Sequence, residues 1–304
     1  MGVVIRLSAA LAGALALVSL AGAATVTPSV AGMTLAPADV PGAKVVSQGK
    51  LTKGGYLSAY QRTLKFAVPY GRSQLVGVRS QGMLAKTPKQ VTTDLAVIQH
   101  VFNSPQGRTG FIAGIASGFQ VKPTDVKLSR LRHPTIGDGT VEQPLSVAVN
   151  GTAIYESLLY MRLDRVLVQF VFVGGRPVAQ ADSVNLAKIV QAHVTDQLTP
   201  IDVTPPTIAG TADLGQTLTV TPGTWSNTDV KLTRRWQRCD ATGANCADIA
   251  GSTTDSYTVV DTDAGSTFRV VETATDRFGA PTATSAVTAA VPVPPPPPPA
   301  ADSP

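Results

Sequence analysis

The sequence is poor in the residues and motifs that commonly carry enzyme chemistry. Its three histidines, His100, His133 and His193, are far apart, and no two of them share a helical turn. The only two cysteines, Cys239 and Cys246, are close together in the C-terminal third. There is no Gly-x-Ser-x-Gly turn for a nucleophilic serine and no glycine loop of the Walker or Rossmann type. We therefore expect no enzymatic activity, no cofactor and no bound metal.

Residues 1–23 have the pattern of a cleaved export signal. Arg6 is the single charge before an apolar run from Leu7 to Leu20, and Ala21-Gly22-Ala23 fits the small-x-small cleavage pattern. An uncleaved anchor is the weaker interpretation, because the run is shorter than the ~20 residues of a membrane-spanning helix. Alanine at position 23, where a lipoprotein has cysteine, excludes lipid attachment there. We expect a secreted or cell-surface protein.

Positive charge is concentrated in the N-terminal part of the chain. Residues 25–202 contain 18 Lys+Arg and 10 Asp+Glu, whereas residues 203–304 contain 6 and 10. A basic exported domain favours anionic cell-wall or membrane-surface polymers as partners, with another exported protein as the alternative. Nucleic acid is not expected, because no basic run is interleaved with aromatic residues. The densest basic group, which is either an anionic-ligand patch or a solvated charged face, consists of Lys122, Lys127, Arg130 and Arg132.

Residues 292–304 form a proline-rich tail. Six consecutive prolines, Pro294 to Pro299, predict an extended polyproline II rod, because proline fixes φ and lacks an amide donor. Such a rod is a spacer or a docking strip, and a disordered tail is the alternative. No sorting motif or hydrophobic tail follows it.

Residues 25–201 predict an α+β domain, an antiparallel sheet with flanking helices. One helix is expected to begin at Thr87-Pro88, a capping residue followed by proline, and another covers about Asp182 to Leu198. The glycines between Gly110 and Gly118 suggest a closely packed short helix or a loop. Alternating segments predict strands at 44–48, 56–66, 74–82, 125–132, 141–149, 153–162 and 166–173.

Residues 203–291 predict an all-β module. Short β-rich runs alternate with turn signals, and Trp236 lies in the middle of one run. Cys239 and Cys246 flank six residues suited to a hairpin loop. Because they are the only cysteines of an exported chain, they are expected to form a disulfide.

The same segment resembles the bacterial immunoglobulin-like repeat of exported actinobacterial proteins. The resemblance rests on Gly215-Gln-Thr-Leu-Thr-Val220, Gly223-Thr-Trp225, Trp236-Gln-Arg-Cys-Asp240, Tyr257 and Asp263-Ala-Gly265. It implies an immunoglobulin-like sandwich used as a spacer or adhesive stalk, with Trp225, Trp236 and Tyr257 in its structural core.

The N-terminal domain resembles small exported actinobacterial domains, some with a PsbP-like fold and some acting as sensors. Ala38-Asp-Val-Pro-Gly-Ala43, Tyr60-Gln-Arg62 and late paired strands before a terminal helix carry this resemblance. It implies a binding or accessory role. The expected function is therefore an exported, non-catalytic envelope protein in which the β module spaces or presents a binding domain.

Two alternatives remain open. A secreted hydrolase could work through carboxylates of the first domain, for which Asp138, Glu142 and Glu156 are the candidates. An adhesin could instead bind its partner through the immunoglobulin-like module itself.

Overall fold

The computed structural model describes residues 28–227 and 229–295. The expected signal peptide at 1–23 and residues 296–304 of the proline-rich tail lie outside this range. The described chain divides between Gln197 and Leu198 into two compact units, here called the first and the second unit. No helix in the described ranges is long and apolar enough to cross a membrane.

One antiparallel seven-stranded sheet forms the first unit, in the order β1-β2-β3-β7-β6-β5-β4. Most of its strands coincide with runs of alternating or apolar residues: alternation is typical of a strand covered on one face and a continuous apolar run of a strand covered on both. The strands are β1 (Lys44–Leu51), β2 (Tyr56–Tyr70), β3 (Leu75–Ala85), β4 (Val126–Leu128), β5 (Gly139–Val149), β6 (Thr152–Leu163) and β7 (Val166–Gly174).

The strand expected at 125–132 is shorter than the sequence suggested. Only Val126–Leu128 pairs continuously with β5, followed by an isolated bridge between Arg132 and Glu142. Pro144 on β5 has no amide proton to give to the ladder. The side-chain amide of Gln143 replaces it by donating to the Ser129 carbonyl oxygen, at 2.9 Å.

Among the described residues, the first unit has three α-helices: α1 (Pro88–Asn103), α2 (Pro105–Phe119) and α3 (Gln180–Leu198). The helix start expected at Thr87-Pro88 is observed, because the Thr87 side chain accepts a hydrogen bond from the Gln90 amide. The glycine-rich segment from Gly110 to Gly118 lies within α2 and is therefore helical.

The two sheet faces are covered by different elements. Helices α1 and α2 pack on the face that carries Val141, Leu145 and Leu158, here called the α1/α2 face. The opposite face carries the buried Phe170 and Phe172, whose rings stack at 5.4 Å. We call it the α3 face. Arg132 lies on this side of the sheet and donates to the carbonyl oxygen of Val178, two residues before α3 begins. The buried stripe of α3 is formed by Leu186, Val190 and Val194.

All sheets of the second unit are antiparallel. Their orders are β14-β10-β9, β13-β12-β15-β16 and β11-β8. The strands are β8 (Asp202–Thr204), β9 (Thr207–Ala209), β10 (Thr217–Thr221), β11 (Thr224–Trp225), β12 (Lys231–Cys239), β13 (Ala247–Asp248), β14 (Ser256–Thr258), β15 (Thr267–Thr275) and β16 (Thr282–Thr284). The predicted disulfide is formed: Cys239, at the end of β12, is bonded to Cys246, just before β13.

Trp236 is the centre of the second unit's core. Its side chain is fully buried, and its ring lies 5.7 Å from that of Tyr257, which lies 5.1 Å from that of Phe268. Trp225, expected in this core, is not part of it. Its side chain is half-buried, and its indole N–H donates to the buried Glu272 carboxylate at 3.0 Å. An indole N–H that leaves water needs such a polar acceptor, which holds Trp225 outside the apolar core.

Candidate functional site

Polar side chains interrupt the apolar α1/α2 face of the sheet. They come from four neighbouring strands, β2, β3, β7 and β6, and alternate along each strand with residues that face the other side. We call this group the sheet-face cluster. Its members are Thr63, Arg79, Gln81, Glu156, Tyr160 and Gln169.

The strand register places the two charged members two strands apart. Arg79 pairs with Val171 on β7, and Val171 pairs with Leu158 on β6. Glu156 lies two residues before Leu158 and on the same face. From strand spacing and rise, the two Cα atoms are about 12 Å apart, with Val171 and Val173 between them. Their side chains can therefore approach a small molecule from opposite sides.

Glu156 is a buried carboxyl group without a direct partner. Only 5% of the residue is exposed, and none of the described residues forms a hydrogen bond or an ion pair with it. Burial raises the pKa of Glu156 to about 7, and the attraction of Arg79 opposes this rise. The group therefore exchanges a proton near neutral pH, which is common at functional sites.

Arg79 supplies the positive charge of the cluster. Its half-buried guanidinium makes no hydrogen bond within the described ranges, so its donors are available to a ligand. Burial lowers the pKa of Arg79, while attraction to Glu156 and Tyr160 raises it. An arginine remains charged under any such shift, because its ordinary pKa is so high.

Tyr160 and Gln169 add neutral donors and acceptors. The Gln169 amide donates to the Tyr160 hydroxyl at 2.9 Å. Burial raises the pKa of Tyr160 to about 12, so the phenol keeps its proton and can donate it. The cluster thus offers a cation, a carboxyl group that titrates near neutrality, and neutral polar groups on one face.

The candidate carboxylates of a hydrolase do not converge on one site. Glu142 lies on the α3 face, where its Oε1 atom accepts from the Ser157 hydroxyl at 2.8 Å. Glu156 lies on the opposite face of the same sheet. Asp138 is paired with Arg162, with 3.8 Å between Nη1 and Oδ2. An acid and a base must reach the same bond, so these three residues do not form the carboxylate pair that the alternative hydrolase hypothesis requires.

The basic group singled out in the sequence loses one member. The Arg132 guanidinium lies 3.6 Å from the buried Glu142 carboxylate and donates to the Val178 carbonyl oxygen at 2.9 Å. Because it pairs with a buried acid, Arg132 stabilises the domain instead of forming an anion patch. Lys122, Lys127 and Arg130 are exposed around the edge strand β4.

The histidines do not form a site in the described part of the chain. His100 and His133 are exposed, and Nε2 of His193 lies 3.4 Å from Asp39 Oδ1. Within residues 28–227 and 229–295, no group of three or more metal-binding side chains is present.

Ion pairs lie at both ends of the second unit's core. Arg234 on β12 donates to Glu272 Oε2 at 3.0 Å and pairs with the exposed Asp255. Arg238, also on β12, pairs with Asp263, which accepts a hydrogen bond from the Tyr257 hydroxyl at 2.8 Å. These contacts satisfy buried carboxylates, so they are structural.

Of the sheet-face cluster, only Glu156 was identified from the sequence, as a candidate carboxylate, although the strands that carry the other members were predicted. The available signal was a polar residue within an otherwise apolar run, Gln169 in the run from Val166 to Val173. A polar residue at such a position lies on a covered face and needs either a partner or a function.

Comparison with known proteins does not assign this site. No protein-family model matches the chain, and no curated protein matches it. A crystal structure of titin domains aligns with 82% of this chain and 99% of its own length, at 10% sequence identity and a TM-score of 0.23. A TM-score this low carries no argument about fold or function.

Proposed function

We propose that this chain is an exported, non-catalytic binding protein whose ligand binds at the sheet-face cluster. The proposal rests on one observation: Arg79 and Glu156 lie on one buried sheet face and neither has a direct partner. Burying charged groups without partners disfavours folding. A ligand that pairs with both of them gives a reason for their presence.

We further propose that the first unit is an α+β domain and the second an immunoglobulin-like module that spaces or presents it. The tryptophan–cysteine motif around Trp236 and Cys239 supports the module assignment, and its disulfide suits an oxidising compartment. The signal-like residues 1–23 support export to the cell surface or medium. The resemblance to exported actinobacterial domains supports an envelope role.

The exposed Lys122, Lys127 and Arg130 support a second, weaker contact with anionic cell-wall or membrane-surface polymers. Contacts between exposed charges are screened within about a Debye length, ~10 Å at 0.1 M salt. Salt therefore separates this contact from binding at the partly buried sheet-face cluster, which salt weakens less.

Co-sedimentation of the full chain with cell-wall and membrane fractions across a salt series tests the proposal. Binding that Arg79→Gln abolishes supports the sheet-face cluster. Binding that fades with salt and with combined Lys122→Gln, Lys127→Gln and Arg130→Gln substitutions assigns it to the basic group instead. Arg72→Gln, an exposed turn position, is the control.

Two further outcomes have different consequences. Binding that survives both sets of substitutions contradicts the proposal, because it assigns the contact to the second unit, as in an adhesin. No sedimentation at low salt removes the envelope as the partner and leaves a soluble ligand for the sheet-face cluster.

A further inference from the structure

The sheet-face cluster combines two opposite charges that do not meet. Burial lowers the pKa of Arg79 and raises that of Glu156, and the attraction between the two charges opposes both shifts. No ion pair joins them, and Val171 and Val173 lie between them on the sheet. The stretch of sheet face between these two positions, here called the gap, has a cation at one end, Arg79, and a titratable carboxyl group at the other, Glu156.

Resting on the proposed binding function, we infer that the ligand is a small zwitterion with a free ammonium and a free carboxylate, such as an α-amino acid. The ligand carboxylate would lie against the Arg79 guanidinium, whose planar donors suit a bidentate pair. The ligand ammonium would lie against the Glu156 carboxylate. Each end of the ligand then neutralises one unpaired buried group.

Ligands of a single charge fit this gap less well. A simple anion would satisfy Arg79 but would be repelled by the ionised Glu156 carboxylate. A simple cation would satisfy Glu156 but would be repelled by Arg79. A neutral polyol could hydrogen-bond to both groups, but it lacks charge-assisted hydrogen bonds, which are roughly twice as strong as neutral ones.

Proton linkage distinguishes these ligand classes. An ammonium beside Glu156 favours the ionised carboxylate, so binding releases the proton that part of the population carries near neutral pH. With the Glu156 pKa at about 7, binding at pH 7 should release up to roughly half a proton per ligand. An anionic ligand would cause proton uptake, and a neutral polyol would leave the proton count nearly unchanged.

The experiment uses the full chain and the standard α-amino acids as probes. A thermal-shift screen first finds the best binder, and calorimetric titrations in buffers of different ionisation enthalpy then count its protons. The amide of that amino acid, which lacks the carboxylate, and its N-acetyl derivative, which lacks the ammonium, are the matched controls. We expect binding with proton release, and an affinity at least about tenfold lower for both derivatives.

Variants connect this binding to the cluster. Glu156→Gln should abolish proton release and weaken binding, and Arg79→Gln should reduce the affinity to that of the amide. Lys65→Gln, an exposed cation on the neighbouring strand β2, should leave both measurements unchanged. Since Arg79→Gln could perturb folding, Arg79→Lys provides a second test: it keeps the charge but removes the bidentate geometry, and should weaken binding less.

Three outcomes overturn the inference. Proton uptake on binding, or equal affinity for the N-acetyl derivative, would mean that the ligand is an anion. Equal binding of glycerol that depends on Arg79 would leave the cluster as a binding site but assign it to polyols. If no amino acid shifts the melting temperature, the zwitterion assignment fails, while sedimentation that Arg79→Gln abolishes would still support the sheet-face cluster as a binding site.

Discussion

Replacing Glu156 with glutamine should stabilise the first unit at neutral and alkaline pH. The substitution keeps the size and shape of the side chain and removes only its ability to ionise. In the folded chain the carboxyl group is buried, with no hydrogen bond from the described residues, so ionisation there is disfavoured. In the unfolded chain the group is hydrated and ionises at its ordinary pKa.

The size and sign of the effect follow from proton linkage. A rise in pKa from 4.5 to about 7 corresponds to about 3 kcal/mol of stability. This contribution is fully present below about pH 4.5, where Glu156 is protonated in both states. It is lost progressively as the pH rises through the folded pKa. Above pH 7, Glu156→Gln should therefore increase the free energy of unfolding by up to about 3 kcal/mol, and near pH 4 it should change it little.

The positions of the helices and tryptophans provide separate probes of the two units. The three α-helices of the described residues lie within residues 88–198, so far-ultraviolet circular dichroism reports mainly on the first unit. Both tryptophans, Trp225 and Trp236, lie in the second unit, so their fluorescence serves as an internal control. Urea unfolding of the two proteins between about pH 4 and 8 measures the difference.

A destabilised Glu156→Gln protein at pH 8 would refute this reasoning, because it would show that the carboxylate has a stabilising partner. An unchanged pH dependence would refute it as well, because it would place the folded pKa of Glu156 near its ordinary value. A change seen only by tryptophan fluorescence would mean that the effect does not arise in the first unit.

Three further changes have defined outcomes. Glu142→Gln should have the opposite effect and lower the free energy of unfolding of the first unit by about 1–3 kcal/mol at neutral pH, since it leaves Arg132 without its anionic partner. Urea unfolding followed by circular dichroism measures this loss. Reducing the Cys239–Cys246 bond should lower the stability of the second unit by about 2–3 kcal/mol at most in fluorescence-monitored urea unfolding, because the closed loop is short. Asp240 accepts hydrogen bonds from the adjacent loop, which hold its pKa at about 2, so its stabilising contribution should disappear as the pH falls from 3.8 toward 2. Asp240→Asn should remove this loss of stability between pH 3.8 and 2 in fluorescence-monitored unfolding. The same loss of stability in the variant would contradict the assignment.

Local patterns were sufficient for much of the secondary structure. The helix start at Thr87-Pro88 was predictable because capping and proline at the first helical position act over a few residues. The cysteine pairing was predictable because the chain offers no other cysteine. The role of Trp225 was not predictable, because its contact with Glu272 joins positions 47 residues apart.

The placement of Glu142 and Glu156 on opposite sheet faces could have been predicted from the turn between β5 and β6. Val149 pairs with Thr152 across the two-residue turn Asn150-Gly151, both of whose residues have positive φ. In this register an even-numbered residue of β5 always pairs with an odd-numbered residue of β6. Paired residues face the same side of the sheet. Two even-numbered glutamates on these strands must therefore lie on opposite faces, which a recognised two-residue turn would have predicted.

The sequence by itself determined most of the elements: which runs extend, with the exception of 125–132, where α1 begins and which cysteines pair, because these depend on near neighbours and composition. Only the tertiary structure decided which polar residues share a face. Arg79 and Glu156 are 77 positions apart, and they share one sheet face because β7 lies between β3 and β6. The strand order of the whole sheet, and not any local pattern, forms the candidate site.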